Sequence, residues 1–432
     1  MATESQGRHV HQRMRMGAGT NPGESMHMNE LAKRSPMTQK HRAISFLTLA
    51  MLVAAGPALA DFRSCINGLR ASFGKAGISR TTFDRVMAGV TPDMKVIKSL
   101  NSQPEFRTPI WDYLAFLVDA QKISEGQSMM SKHARTLNAA QRRFGVDKYT
   151  IAAVWGVESD YGKLAGRWSL PQALGTLACV PNRRSRYFRG ELLSTLRIVQ
   201  RGDLPPGKLR GSWAGAFGQT QFMPSTYLRL AVDGDGDGRR DLVSSTADAL
   251  HSTANFLRRA GWRNGGNWGY EVTIPRGYRG PTGRKRRKPL SYWAKLGVRR
   301  INGGRLGGSG TAGLLLPAGR NGPAFLVFRN YSAIYSYNGA NSYALAISIL
   351  SDRLRGKAGI RGRWPTNDRG LSRRERREVQ VLLARNGFYK GEIDGAIGTI
   401  TKRSIAAYQR RLGMKPNGRP SGKVLDALRA GR

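Results

Sequence analysis

Three groups of residues have types and spacings that could do chemistry. The first is a single carboxyl, Glu158, in the segment Trp155-Gly-Val-Glu158-Ser-Asp-Tyr161-Gly162. If residues 148–161 are helical, Ile151, Val154 and Trp155 share its face, at spacings of seven, four and three. Burial among apolar neighbours disfavours a charged carboxylate and raises its pKa, as a general acid at neutral pH requires. The competing role is a structural glutamate paired with one of the many arginines. The second group is the stretch 211–224, GSWAGAFGQTQFMP. Its small residues let backbone approach a ligand, while Ser212, Gln221 and Met223 offer polar and apolar contacts. It also reads as a tightly packed turn. The third is Asp233, Asp235, Asp237, Arg239 and Asp241, with Gly238 sixth in the run. Oxygens at alternate positions around such a glycine can wrap a hard cation, as in an EF-hand. Ser244 stands where a glutamate would close that loop, and Asp248 is the candidate replacement. A structural Ca2+ or Na+ is expected there, whereas the chemistry of Glu158 calls for no cofactor.

The elements that must position these residues are mostly helical. Phe62, Ile66, Leu69 and Phe73, then Phe83, Val86 and Met87, recur at helical spacing, and Trp111 to Leu117 begins another helix. Asp147 can cap the helix that carries Glu158, and Gly162 can end it. Between Trp262 and Pro323 the chain turns Gly-, Arg- and Pro-rich. That stretch holds short β-like pieces such as 271–274 and a basic run, 284–288, expected as an exposed loop. A second break in composition at 357–369 separates a compact C-terminal segment with two or three short helices. The boundaries read as 1–60 extension and signal segment, 61–355 catalytic domain, 356–370 linker and 371–432 C-terminal module.

The chain has 71 Lys and Arg against 28 Asp and Glu, a net charge of +43 over 432 residues. A field of that size attracts anionic partners, and a cell wall bearing peptide carboxylates serves as well as nucleic acid. The arginines are spread along the chain, with no nucleic-acid-binding motif, so no nucleic-acid partner is expected. Lys40, His41 and Arg42 precede an uncharged apolar run from 43 to 55, and Ala58-Leu59-Ala60 supplies a cleavage site. The run is shorter than the ~20 residues that span a bilayer, so it reads as a signal peptide and export to the periplasm. Cys65 is not the first residue after the cut, which argues against a lipoprotein. Cys65 and Cys179 are the two cysteines of the chain. In an oxidising compartment they favour one disulfide, with buried free thiols as the alternative.

Residues 61–355 resemble the lytic murein transglycosylases of the membrane-bound lytic transglycosylase B type. The matching segments are 155–162, Arg183-Arg184, 211–224, the aspartate loop with Asp248, Gly261-Trp262, 268–272, 322–325, and Tyr337-Asn338 with Tyr343. The resemblance implies a mainly α (α+β) fold: a lysozyme-like helical catalytic domain with a small α/β insertion. It implies peptidoglycan glycan strands as substrate, and cleavage of the β-1,4 bond between N-acetylmuramic acid and N-acetylglucosamine without water. The muramic acid C6 hydroxyl attacks, leaving 1,6-anhydro ends, with Glu158 as the one catalytic residue. Ordinary glycosidases set two carboxylates across the bond; an internal nucleophile removes that need. By position Ser212, Gln221, Met223, Tyr113, Tyr337, Asn338 and Tyr343 become glycan contacts, and Arg183 and Arg184 face stem-peptide carboxylates. Phe256 stands where relatives can carry tyrosine.

The tail resembles the small three-helix peptidoglycan-binding domain, through Val379-Gln380-x-x-Leu383, Gly387-Phe388-Tyr389-x-Gly391-x-Ile393-Asp394-Gly395, Gly398 with Thr401, and Tyr408-Gln409. A monomer is expected, with other cell-wall enzymes as candidate partners. Two further functions compete. A hydrolytic muramidase needs a second carboxyl; Asp160 is nearest in sequence but points off the helix face of Glu158. A non-catalytic wall-binding scaffold would leave the Glu158 segment without purpose.

Overall fold

The computed structural model describes residues 56–100, 108–306 and 310–431. The apolar run read as a signal segment lies outside them. Residues 54–432 form one compact unit. No helix among the described residues is long and apolar enough to cross a membrane.

The helices α1 (Gly56–Lys75), α2 (Arg80–Met87) and α3 (Met94–Leu100) lead the chain. Ser79 starts α2 by accepting the Thr82 amide on its side chain. Next come α4 (Ile110–Leu117), α5 (Ala120–Lys132), α6 (Ala134–Phe144) and α7 (Lys148–Ser159). The two-residue strand β1 (Trp168–Ser169) precedes α8 (Leu170–Cys179) and α9 (Ser185–Gln200), and β2 (Arg210–Gly211) pairs back onto it. Then follow α10 (Pro224–Leu230) and α11 (Thr246–Arg259).

These helices bury two cores. One joins Phe73, Phe83, Leu174, Leu192, Phe217 and Tyr227; the other gathers Leu137, Ile151, Trp155, Leu250, Tyr331 and Leu345. Phe256 and Tyr337 pack against both, so the seam between the cores runs through them.

The predicted insertion is a five-stranded antiparallel sheet in the order β4-β6-β7-β3-β5, with one short helix. Its strands are β3 (Gly269–Thr273), β4 (Lys288–Pro289), β5 (Arg299–Arg300), β6 (Thr311–Leu315) and β7 (Ala324–Val327), and α12 (Leu290–Lys295) follows β4. All four residues of β7 are buried. Alternate side chains point to opposite faces: Phe325 and Val327 enter the α7 core, while Ala324 and Leu326 enter a separate core around Trp293. The sheet thus packs one face on the helical body and the other on the insertion's own core.

The chain then returns through α13 (Arg329–Asn338) and α14 (Asn341–Leu354). The segment after Leu354 is no free tether. Trp364 lies 6.4 Å from Trp111, and the Glu271 carboxylate accepts the amides of Arg361 at 2.9 Å and Gly362 at 2.7 Å. The last three helices, α15 (Arg373–Arg385), α16 (Thr399–Arg411) and α17 (Gly422–Arg429), enclose a small core of Leu371, Val379, Leu383, Ile405, Tyr408 and Leu425. Ser372 and Glu375 form a reciprocal capping box that starts α15.

Of the two fates open to the cysteines, the structure takes the disulfide: Cys65 on α1 is bonded to Cys179 at the end of α8. It closes a sequence separation of 114 residues. Replacing both by serine is expected to cost about 2–5 kcal/mol of stability, read as a lower Tm by calorimetry.

Candidate active site

Glu158 sits on the last turn of α7. Asp147 caps the start of that helix, its carboxylate accepting the Thr150 amide at 3.1 Å. The residues from Thr150 to Gly156 are all buried, so α7 is not the one-sided amphipathic helix that spacing implied. It runs through the core, and Glu158 is half-buried where the helix emerges. Two consecutive left-handed residues, Asp160 (φ 56) and Tyr161 (φ 59), end it. Tyr161 folds back under the helix and donates to the Lys122 carbonyl at 2.9 Å. A Cβ on Gly126 would lie 2.2 Å from the Tyr161 hydroxyl, and one on Gly156 would lie 2.6 Å from its ring. Glycine at both positions makes room for that ring.

Two hydrogen bonds tie the last turn of α7 to the surrounding elements, and a third ties the neighbouring turn to α13. Tyr343, on α14 and only 2% exposed, donates its hydroxyl to the Glu158 carboxylate. Ser159 donates to the Gln219 carbonyl. Tyr337, on α13, donates to the Thr220 carbonyl at 2.7 Å. Burial first, and then the charge of Glu158, push both tyrosine hydroxyls well above the ordinary range, so they remain donors. Tyr337 and Tyr343 stack, their ring centroids 6.3 Å apart. The ring centroids of Phe256 and Tyr337 lie 4.5 Å apart.

The 211–224 stretch is the tight turn that its small residues allow. Phe217 and Phe222 exchange backbone hydrogen bonds at 2.9 and 3.0 Å. Inside that turn Gln221 takes φ 49, a conformation unusual for a residue with a side chain. Its amide nitrogen donates to the carbonyls of Ala165 and Gly218, both at 2.9 Å, which leaves the amide oxygen as the acceptor it can offer. The Ser212 hydroxyl accepts the Ala216 amide at 3.1 Å. A Cβ on Gly211 would meet the Ala216 carbonyl oxygen at 2.2 Å, so this close crossing of backbone requires glycine. Met223 is half-buried at the start of α10.

These contacts bring the 219–221 turn, Tyr337 and Tyr343 around Glu158, and Tyr113 is near enough for its field to reach Tyr343. Asn338 is exposed at the end of α13. Tyr343, expected as a glycan contact, is buried and holds the Glu158 carboxyl. Arg183 and Arg184 lie exposed before α9, where Arg184 covers the rings of Tyr187 and Phe188 at 4.5 and 5.3 Å.

The aspartate loop is only partly assembled in the expected way. Carboxylate oxygens of Asp233, Asp235 and Asp248 lie within 4.8 Å of one another. Asp241 is not among them. Its carboxylate accepts the amides of Val243 and Ser244 at 2.9 and 2.8 Å and pairs with Lys208 at 3.0 Å. Asp237 instead accepts the amide of Arg239 at 2.8 Å. Asp248 is 1% exposed, and burial, then the charges of Asp235 and Asp233, raise its carboxyl against the pull of the Gly234 and Asp241 amides. Three hard oxygen donors that repel one another fit a cation better than they fit one another.

Residues 61–352 match the family model described as the transglycosylase SLT domain, and residues 372–428 match that of the peptidoglycan-binding domain. The chain belongs to the transglycosylase SLT domain family. It is 31% identical over 241 residues to membrane-bound lytic murein transglycosylase B of Escherichia coli K12, covering 54% of this chain and 64% of that relative. It therefore spans somewhat under two thirds of that relative's length. Among solved structures it is similar to SltB3 of Pseudomonas aeruginosa, with 43% identity, a TM-score of 0.69, and coverage of 85% of this chain and 99% of that one. SltB3 was solved in complex with NAG-anhNAM-pentapeptide and with NAG-NAM-pentapeptide. The lytic transglycosylase Slt35 of Escherichia coli, solved in complex with calcium, is 27% identical with a TM-score of 0.60, covering 69% of this chain and 93% of that one.

Asp160, the acid nearest Glu158 in sequence, is committed elsewhere. Asp160, 8% exposed, accepts the ammonium of buried Lys122 at 2.6 Å and the guanidinium of Arg373 from the C-terminal module. Lys122 also donates to the Gly156 carbonyl at 2.8 Å, near the end of the catalytic helix. Alongside, Arg419 grips Asp112 at 2.7 and 2.8 Å, and Asp119 accepts the Arg373 amide at 3.0 Å. Sequence reading missed Lys122, Asp112, Asp119, Arg373 and Arg419, because no local spacing links residues 38 to 307 positions apart.

Burial works to raise the Asp160 carboxyl, but the hydrogen bond and charge of Lys122, then those of Arg373, hold it below the ordinary aspartate range. A depressed carboxyl contributes stability that is present above the unfolded pKa and lost as pH falls through the folded one. Asp160→Asn is expected to destabilise by about 3–5 kcal/mol at pH 7, since it strands buried Lys122 and removes a partner of half-buried Arg373. The gap from wild type should close as pH drops below about 4, measured by urea unfolding across pH.

Proposed function

We propose that this chain cleaves the β-1,4 bond between N-acetylmuramic acid and N-acetylglucosamine in peptidoglycan without water, leaving 1,6-anhydro ends. The observation that carries this reading is a carboxyl held by Tyr343, whose nearest acidic neighbour in sequence, Asp160, is neutralised by Lys122 and Arg373. Asp160 is therefore not poised to activate a water, as a hydrolytic pair would require. The anhydro-sugar ligand of the SltB3 complex supports the same chemistry.

In this mechanism Glu158 gives its proton to the glycosidic oxygen as the bond from C1 to that oxygen breaks. The C6 hydroxyl oxygen bonds to C1 and returns its proton to Glu158, so the acid is restored and no water is consumed. With one oxygen held by Tyr343, the carboxyl keeps a single orientation through both transfers. Gln221 offers its amide oxygen to an N-acetyl group, and Ser212, Met223, Tyr113, Tyr337 and Asn338 line the path of the glycan. Arg183 and Arg184 receive stem-peptide carboxylates, and the C-terminal module holds the strand. The enzyme acts in the periplasm after export by the segment ahead of residue 61.

Asp233, Asp235 and Asp248 would hold a structural Ca2+, which braces the loop between α10 and α11 and takes no part in the chemistry.

Digestion of purified sacculi should release 1,6-anhydro-muropeptides, lighter by one water than the hydrolytic products by mass spectrometry. Glu158→Gln should abolish that release while the Tm stays within a few degrees. Products with free reducing ends would reject the mechanism and keep the substrate. Millimolar Ca2+ should raise the Tm and chelator should reverse it, with no such rise in Asp248→Asn. An equal rise with NaCl would assign the loop to Na+.

A further inference from the structure

At the far end of the catalytic helix lies a second concave site. Gly265 to Asn267 border both the start of α7, at Asp147 and Thr150, and a separate cavity of about 800 Å³. Glu158 is eleven residues further along that helix, roughly 16 Å at the rise of an α-helix, so the cavity is remote from the chemistry.

Four arginines line this cavity: Arg263, Arg287, Arg300 and Arg329. Its lining contains no aspartate or glutamate. None of the four is in an ion pair among the described residues, although Arg373 and Arg419 of the same protein each find one.

They are held in place by neutral groups instead. Arg287 donates to the Thr311 carbonyl at 2.6 Å and hydroxyl at 3.2 Å, and Arg329 donates to the Gly261 carbonyl at 3.2 Å. Arg300 lies 4.2 Å over the Tyr270 ring. Asn330, 1% exposed, clamps both the amide and the carbonyl of Arg263, at 2.8 and 2.9 Å.

Two further observations favour an anion in this cavity. The start of α13 faces the cavity, and Phe328, its first flanking residue, supplies no side-chain cap. Burial, then Arg329 and Arg263, all disfavour the Arg287 cation, a repulsion that a bound anion relieves.

We propose that this cavity binds a multivalent phosphate group, gripped by the guanidinium forks of Arg263, Arg287 and Arg329 at the start of α13. A phosphate presents several oxygens and close to two charges to converging cations, whereas a single carboxylate compensates only one of them. The same chemistry is offered by a soluble phosphate ester and by a lipid headgroup.

Titration of the purified protein with inorganic pyrophosphate, followed by calorimetry, tests the site. One saturable site is expected, weakened at least tenfold in Arg287→Gln/Arg329→Gln and unchanged in Lys95→Gln/Lys98→Gln, which removes two charges from exposed α3. Circular dichroism checks that the variants fold, and Arg263→Gln alone serves if the double variant does not.

Vesicles of phosphatidylcholine with phosphatidic acid separate the two sources. Sedimentation of the wild type that pyrophosphate competes away identifies a headgroup, while its absence alongside pyrophosphate binding identifies a soluble ester. The proposal is overturned by equal pyrophosphate affinity in both double variants, by equal affinity for citrate, or by no binding at millimolar concentration.

Discussion

A hydrogen bond from Tyr343 holds the Glu158 carboxyl where a buried helix reaches the surface. The interior of α7 has no room for a charge, since every residue from Thr150 to Gly156 is buried. The last turn is where a carboxyl can sit half in the core and half in solvent. Its position rests on how the helix ends, through the left-handed pair Asp160 and Tyr161 and two glycines that make space for the Tyr161 ring. A stiff core around the acid fixes its direction better than a loop would.

The elements around Glu158 are hung on the same point. α14 brings Tyr343, α13 brings Tyr337, and the 217–222 turn is fastened to α7 and α13 through the Gln219 and Thr220 carbonyls. Tyr337 and Phe256 also fill the seam between the two helical cores. A shift of one core against the other would therefore move the turn relative to Glu158. Packing energy and catalytic geometry depend here on the same residues.

The sequence was most legible where one local pattern fixes one outcome. Helical spacing and the cap at Asp147 place α7, and the Gly- and Arg-rich stretch marks the sheet insertion. Period arguments failed where an element is buried on all sides: α7 and β7 show no polar face, because each sits between two layers. The aspartate loop was legible as a cluster but not in its membership. Asp241 has the right type and position, yet a lysine from outside the loop, Lys208, claims its carboxylate. Tyr343 could be found by resemblance, but its burial under Glu158 is a tertiary fact. The Lys122–Asp160–Arg373 bridge joins three elements with no shared motif, so nothing local announces it.

That bridge bears on what the net charge means. A surplus of +43 reads as a protein coated in arginine, yet several of its few acids face inward: Asp112, Asp119, Asp160 and Asp248 are all buried. Three of these four meet arginines of the C-terminal module. Two charged surfaces this well matched, once desolvated, hold a fixed register, because separating them would strand buried carboxylates. Where these acids sit leaves the net charge unchanged, but spending them on the contact with the module leaves the outer surface to the arginines. A module docked in this way presents any bound strand at a set distance from Glu158, which a flexible tether would not.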